Sequence, residues 1–137
     1  MPRHRSSAVP LAALYAALVV YASLYPFTGW HHPQGLWSVE ALSLPWPRRW
    51  LAFDVAANFI GYMPLGALTF AAVLRSGGGA AWGAAAGLAL PALLSLALEL
   101  LQNFLPQRVP SALDLALNAG GAACGVLAAA LAYGWGL

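Results

Sequence analysis

Four long apolar segments alternate with short stretches rich in proline, glycine and charge along this chain. A helix needs about 20 apolar residues to cross a hydrocarbon core of roughly 30 Å. The pattern therefore predicts four membrane-spanning helices, over about residues 8–25, 54–74, 80–105 and 112–135. The fold class is then all-α: an integral membrane four-helix bundle with short loops and one longer interfacial loop between helices 1 and 2. We treat residues 1–137 as a single domain.

The loop between the first two predicted helices is rich in tryptophan, with Trp30, Trp37, Trp46 and Trp50. Indole rings concentrate at the membrane–water interface, where the ring is half solvated. We therefore expect this loop to lie along the bilayer surface, with a short interfacial helix near residues 36–42.

The composition supports a membrane protein, with the lipid bilayer as its main partner. Hydrophobic residues make up 61% of the chain and charged residues only 7%, whereas a typical soluble domain is about 25% charged. The pI near 9.0 rests on very few groups and is no sign of nucleic-acid binding, so we expect no nucleic-acid partner. The first apolar segment is longer than the core of a signal peptide, about 7–15 residues, and no small-x-small cleavage site precedes Pro26, so we expect an uncleaved helix.

The arginines are the guide to orientation, because positive charge concentrates on the cytoplasmic side. A placement with both termini in the cytoplasm puts equal numbers on the two sides: Arg3, Arg5 and Arg75 inside, and Arg48, Arg49 and Arg108 outside. The flank of the first helix usually carries the most weight. We therefore predict cytoplasmic termini and a location in the cytoplasmic (inner) membrane.

An acid, an amide and a glycine recur with the same spacing in two of the predicted helices. DVAANFIG, starting at Asp54, and DLALNAGG, starting at Asp114, both spell D-x-x-x-N-x-x-G. Positions i, i+4 and i+7 share one face of a helix, so each asparagine lies below its aspartate, about 6 Å deeper. Glycines let a neighbouring helix approach closely. We assign that packing role to Gly61, Gly121 and Gly125.

The third predicted helix ends on the same side of the membrane as the starts of helices 2 and 4. Its last turns carry Glu99 and Gln102, and the loop that follows carries Arg108. Glu99 lies roughly 10 Å below the helix end, near the depth of the two asparagines. The sequence therefore predicts one polar cluster, a candidate ligand-binding site, formed by Asp54, Asn58, Glu99, Gln102, Arg108, Asp114 and Asn118.

The charge of this cluster requires compensation, since three carboxylates lie close to a low dielectric. They face one nearby arginine, or three if Arg48 and Arg49 fold back from the interface. Glu99 could stay protonated, a cationic ligand could bind, or a divalent cation could bind Asp54, Glu99 and Asp114. We assign no metal and no cofactor from the sequence. The structural alternative is that the amides and acids only join neighbouring helices by hydrogen bonds, with Glu99 and Arg108 as a fixed ion pair.

The order of these residues is similar to that of a known family. D-x-x-x-N-x-x-G-x-x-P-x-G lies in the second helix, E-x-x-Q near the end of the third, P-x-R in the next loop, and D-x-x-x-N-x-x-G at the start of the fourth. From about Tyr15 to the C-terminus, the chain resembles the VanZ-like family of small bacterial membrane proteins. The resemblance implies a cell-envelope protein, and the founding member is associated with low-level resistance to the glycopeptide teicoplanin.

Three functions are compatible with the cluster. The first is a non-enzymatic envelope factor that confers teicoplanin resistance by binding or modifying an envelope component at the extracytoplasmic helix ends. Such a component could be a lipid-linked precursor or a lipid headgroup, and the glycopeptide itself is another candidate.

The second function is an intramembrane enzyme that acts on a lipid-linked substrate through a metal or through acid–base chemistry. The cluster lacks a serine, cysteine or histidine placed as a nucleophile or base, so we assign no catalytic residue and favour a non-enzymatic role. The third is a small proton-coupled transporter in which Glu99 titrates. Four spans are few for alternating access, so this function would require a homo-oligomer.

Overall fold

Four long helices form the bundle in the computed structural model, which describes residues 6–33, 39–134 and 136. They are α1 (Ala8–Leu24), α2 (Ala52–Arg75), α3 (Ala80–Gln102) and α4 (Ala112–Gly134), and a short 3-10 helix follows Ser38 at Val39–Leu42. The predicted all-α four-helix membrane bundle is confirmed, and the described residues contain no strand. Arg3, Arg5 and Trp37 lie outside the described residues, as does the first part of the predicted interfacial helix.

The outer surface of the bundle is apolar. Helices α2, α3 and α4 are long and apolar enough to cross a membrane, whereas α1 has 17 residues. Leu93 and Leu127 on the outer faces are each 60% exposed. Apolar surface on this scale suits lipid better than water. Trp46 and Trp50 are also exposed, as expected for rings at the membrane interface.

Helix α3 ends at Gln102, three residues before the predicted end. The N–H groups of Asn103, Phe104 and Leu105 each donate to the carbonyl three residues earlier, at 3.0–3.2 Å. This tighter hydrogen-bonding pattern satisfies carbonyls of the last helical turn before Pro106, which cannot donate a backbone hydrogen bond. The turn brings the loop to α4 directly over the end of the bundle.

Helices α2 and α4 run parallel and form the most extensive helix–helix contact in the bundle. A side chain added at Gly121 would collide with the carbonyl of Phe59, and one added at Gly125 with the carbonyl of Met63. Both glycines therefore let the two backbones approach closely. This contact places the two D-x-x-x-N-x-x-G motifs side by side.

Gly61 does not have the packing role that its motif predicts. A Cβ at this position would meet nothing within 4 Å, so the prediction is wrong for this glycine. Gly61 borders a cavity instead, and its carbonyl accepts a 2.8 Å hydrogen bond from the hydroxyl of Tyr15 on α1. The two motifs are alike in sequence, but their glycines differ because α2 has α4 on one side and a cavity on the other.

The long α1–α2 loop closes over one end of the bundle, where α1 and α3 end and α2 and α4 begin. We refer to this as the loop end. Asn103 holds the short 3-10 helix there, because its Nδ2 donates to the carbonyls of Ala41 at 3.3 Å and Ser43 at 3.1 Å. The N–H of Ala112 donates to the carbonyl of Pro45 at 3.1 Å. These bonds tie the loop to the starts and ends of the helices that surround the cavity.

Candidate functional site

A cavity of about 760 Å³ lies at the loop end, bordered by all four helices and by the α3–α4 loop. We call it the loop-end cavity. All seven residues of the predicted polar cluster border it: Asp54, Asn58, Glu99, Gln102, Arg108, Asp114 and Asn118. The exposure of their side chains falls with depth, from the exposed Asp54 at the rim to the buried Glu99 and Asn118. The parallel helices α2 and α4 supply one acid and one amide each, as the repeated motif predicts.

Arg108 binds the end of helix α1 and not a carboxylate. Its Nε donates to the carbonyl of Tyr25 at 3.0 Å, and its Nη2 donates to the carbonyl of Ala22 at 2.7 Å. The last carbonyls of a helix have no partner within the helix, and a cation there also interacts favourably with the helix dipole. The Glu99–Arg108 ion pair considered as the structural alternative is therefore not formed.

Glu99 holds the beginning of helix α4. Its Oε2 accepts a 2.8 Å hydrogen bond from the backbone N–H of Ser111, and Glu99 is 4% exposed. Ser111 immediately precedes α4, and its Oγ accepts from the N–H of Asp114 at 3.3 Å. In a capping box, the acid three residues into the helix would bond the N–H of the cap residue. Glu99 makes that bond here, so the carboxylate of Asp114 is not bound to the Ser111 N–H and lies at the cavity beside the side chains of Asn58 and Ser111.

The two aspartates lie close together at the mouth of the cavity. The carboxyl of Asp114 is close enough to Asp54 for the two negative charges to repel each other, and it also lies beside the side chain of Asn58. Within the described residues, neither aspartate forms an ion pair with an arginine. Arg48 and Arg49 are exposed in the α1–α2 loop and do not border the cavity. Two acidic groups therefore meet without a cationic partner from the described chain.

Asn118 lies at the floor of the cavity with one half of its amide unsatisfied. Its Nδ2 donates to Ser95 Oγ at 2.8 Å, and both side chains are buried. Its Oδ1 is buried and has no hydrogen-bond partner. A buried polar atom without a partner costs about 1–3 kcal/mol. This carbonyl oxygen is thus an unsatisfied acceptor on a side chain that borders the cavity.

The structure adds polar residues that the motif analysis missed, among them Ser95, Tyr62 and Tyr15. Ser95 and Tyr62 lie one helical turn from Glu99 and Asn58, and the Tyr62 hydroxyl is next to Ser95. The i, i+4 periodicity could have identified both. Tyr15 belongs to α1, whose sequence carries no motif, so only the tertiary contact with Gly61 reveals it. Gln102 also contacts α1, donating from Nε2 to the carbonyl of Ser23 at 3.1 Å.

The three cavity acids do not form a metal-ligand group. Among the described residues, no set of three or more histidine, cysteine, aspartate or glutamate side chains is arranged to hold a metal ion. Glu99 is directed toward Ser111, which leaves the two aspartates as a pair. The arrangement instead offers anionic and neutral oxygen acceptors at the mouth and floor of one cavity.

Fold and cavity together define a helical membrane protein with a polar cavity at one end of its bundle. The family model VanZ/LLP1 matches residues 5–133, nearly the whole chain. The chain belongs to this family, as the order of its polar motifs predicts. Neither the curated proteins nor the solved structures contain a significant match to the chain.

Proposed function

We propose that this protein is a factor of the bacterial cell envelope that binds the polar head of an amphiphilic envelope molecule in its loop-end cavity. The cavity is supported as a ligand site by one observation above all: the partnerless Asn118 Oδ1 at its floor. Polar groups that only join helices are normally satisfied by each other. An acceptor left open beside a cavity is better explained by a bound partner.

An amphiphilic ligand suits the position of the cavity. Its polar wall is formed by the predicted cluster, whereas Leu18, Val19 and Phe53 provide an apolar part of the lining. A molecule with a polar head and a hydrocarbon tail would fill both regions without leaving the membrane interface. Lipid-linked precursors and lipid headgroups have this chemistry, and so do lipid-bearing glycopeptides.

The cellular role that we propose is low-level tolerance to teicoplanin, through binding or altering an envelope component. We further propose the cytoplasmic membrane as the location, with both termini in the cytoplasm and the cavity at the extracytoplasmic face. The exposed Trp46 and Trp50 near the cavity are consistent with a loop end at the level of the lipid headgroups.

A susceptibility assay tests this function. A sensitive Gram-positive host would express the wild type, Glu99→Gln, Arg108→Ala and the control Glu40→Gln at matched membrane levels. Glu40 is exposed and does not border the cavity. We expect the wild type and Glu40→Gln to raise the inhibitory concentration of teicoplanin and both cavity variants to lose the effect. Equal tolerance in all four strains would show that the cavity is dispensable for this role.

A further inference from the structure

The hydrogen bonds around the loop-end cavity point to the chemical class of its ligand. We propose that the cavity binds a primary ammonium group, held between the carboxylates of Asp54 and Asp114 and the Oδ1 of Asn118. This inference rests on the proposed binding function and specifies the ligand. Its basis is the charge of the two aspartates, which no cation of the described chain compensates, together with the unpartnered Oδ1 of Asn118.

Some donors of the cavity are engaged by the protein. Arg108 uses Nε and Nη2 on carbonyls at the end of α1, and Gln102 uses its Nε2 on the carbonyl of Ser23. Asn118 uses its Nδ2 on Ser95. The guanidinium keeps three of its five N–H groups, but an anionic headgroup bound to them would also face the carboxylates of Asp54 and Asp114, which border the same cavity. Repulsion between like charges therefore disfavours a phosphate, despite the arginine.

The acceptors, by contrast, carry negative charge without a cationic partner. Within the described residues, neither Asp54 nor Asp114 pairs with an arginine, and the Asp114 carboxyl is hydrogen-bonded only by the neutral side chains of Asn58 and Ser111. Asn118 adds a buried carbonyl oxygen without a partner. An alkylammonium group has three N–H donors and no acceptor. Its three N–H donors equal the three acceptor side chains in number, and its positive charge compensates the negative charge of the two aspartates.

The arrangement also distinguishes a primary ammonium from other cations. A quaternary ammonium has the same charge but no N–H, and would leave Asn118 Oδ1 unsatisfied. Its favoured partners are aromatic faces, whereas the acceptors here are oxygens. For a divalent metal, the described residues bring together no group of three or more histidine, cysteine, aspartate or glutamate side chains.

Binding of short amphiphiles to the full-length protein tests the inference. The protein would be placed in phosphatidylcholine nanodiscs, which contain no primary amine, and titrated calorimetrically with octylammonium, octyltrimethylammonium, octyl phosphate and octyl glucoside. Empty nanodiscs give the background partitioning of each probe. We expect octylammonium to bind at least about tenfold more tightly than the other three probes, since its charged hydrogen bonds are the strongest available.

Variants assign the binding to the proposed groups. Asp114→Asn keeps the shape of the side chain and should weaken octylammonium binding about tenfold or more. Asn118→Leu should also weaken octylammonium binding about tenfold or more. If Asn118→Leu folds poorly, Asp114→Asn still tests the assignment independently. Arg108→Gln should retain the preference for ammonium over phosphate, and the exposed Glu40→Gln should behave as wild type.

Two results would overturn the ammonium assignment and leave the proposed binding function standing. One is tighter binding of octyl phosphate that Arg108→Gln abolishes. The other is tight binding of octyl glucoside with no preference for the amine. Failure of all four probes to bind above background would also overturn the assignment, whereas the susceptibility assay in cells judges the envelope function separately.

The same nanodiscs can distinguish whether the amine belongs to a membrane lipid or to a different amphiphile. Adding phosphatidylethanolamine to the nanodiscs should weaken apparent octylammonium binding if a membrane aminolipid occupies the cavity. Unchanged affinity would support an amine on a different amphiphile. Either result retains the ammonium class, and the first identifies the lipid as its carrier.

Discussion

Replacing Gly125 by alanine should destabilise the bundle, whereas the same replacement at Gly61 should not. Both glycines lie inside long helices, Gly61 in α2 and Gly125 in α4, and both gain the same methyl group. At Gly125 that methyl would collide with the backbone carbonyl of Met63, which belongs to helix α2 and cannot rotate away like the end of a side chain. At Gly61 it would enter open space.

The size of the effect follows from comparing the two variants. Alanine favours a helix over glycine by about 1 kcal/mol, and this gain is similar at both positions and cancels in the difference. Overpacking of a tight contact costs about 1–3 kcal/mol. Gly125→Ala should therefore be less stable than Gly61→Ala by about 1–3 kcal/mol, or roughly 5- to 150-fold in the folding equilibrium.

Reversible unfolding in mixed micelles measures this difference. Purified protein would be titrated with sodium dodecyl sulfate, with loss of helicity followed by circular dichroism and the free energy of unfolding extrapolated for each variant. Equal free energies for Gly125→Ala and Gly61→Ala would refute the assignment of Gly125 to the close contact between α2 and α4. A larger loss at Gly61 would refute the placement of that glycine at the cavity.

Two further predictions concern the amide at the cavity floor and the orientation of the chain. Ser95→Ala removes the acceptor of Asn118 Nδ2. It should lower the unfolding free energy by about 0.6 kcal/mol, the average for hydrogen bonds between membrane helices, and by no more than about 1.7 kcal/mol. Ser76→Ala, at an exposed serine, should change it little in the same titration. In a cysteine-free background, a membrane-impermeant maleimide should label Ser43→Cys in intact cells and Ser76→Cys only after lysis, and the reverse pattern would contradict the proposed topology.

Much of the arrangement follows from helical periodicity alone. Apolar segment length predicts the helices to within about three residues at each end, the accuracy expected of element boundaries. The i, i+4 spacing places Asp54 above Asn58 and Asp114 above Asn118 on one face each. Since consecutive spans reverse direction, the same reasoning brings Glu99 and Gln102 to the loop end, where all seven predicted residues border one cavity.

The roles of individual residues could not be obtained in this way. Arg108 and Glu99 look like an ion pair in sequence, because a cation and an acid fall at one level. In the structure each side chain binds a helix terminus instead. Arg108 donates to the carbonyls at the end of α1, and Glu99 accepts from the N–H of Ser111 before α4. Helix termini carry unsatisfied backbone groups in a low dielectric, and the conformation of the connecting loops determines which side chains can reach those groups.

The sequence by itself determined the class of protein, the helices and the composition of the polar cluster, because these depend on local periodicity and on the cost of charge in lipid. The family was indicated by the resemblance of its ordered polar motifs, and the family model matches residues 5–133. Only the tertiary structure decided which of those polar groups are already satisfied. Gly61 and Gly121 occupy the same motif position, yet one borders a cavity and the other a helix backbone. Asn118 keeps a free carbonyl oxygen because Ser95, from a different helix, binds only its amide nitrogen. Hydrogen-bond satisfaction is a property of contacts between helices, and no pattern within a single helix specifies it.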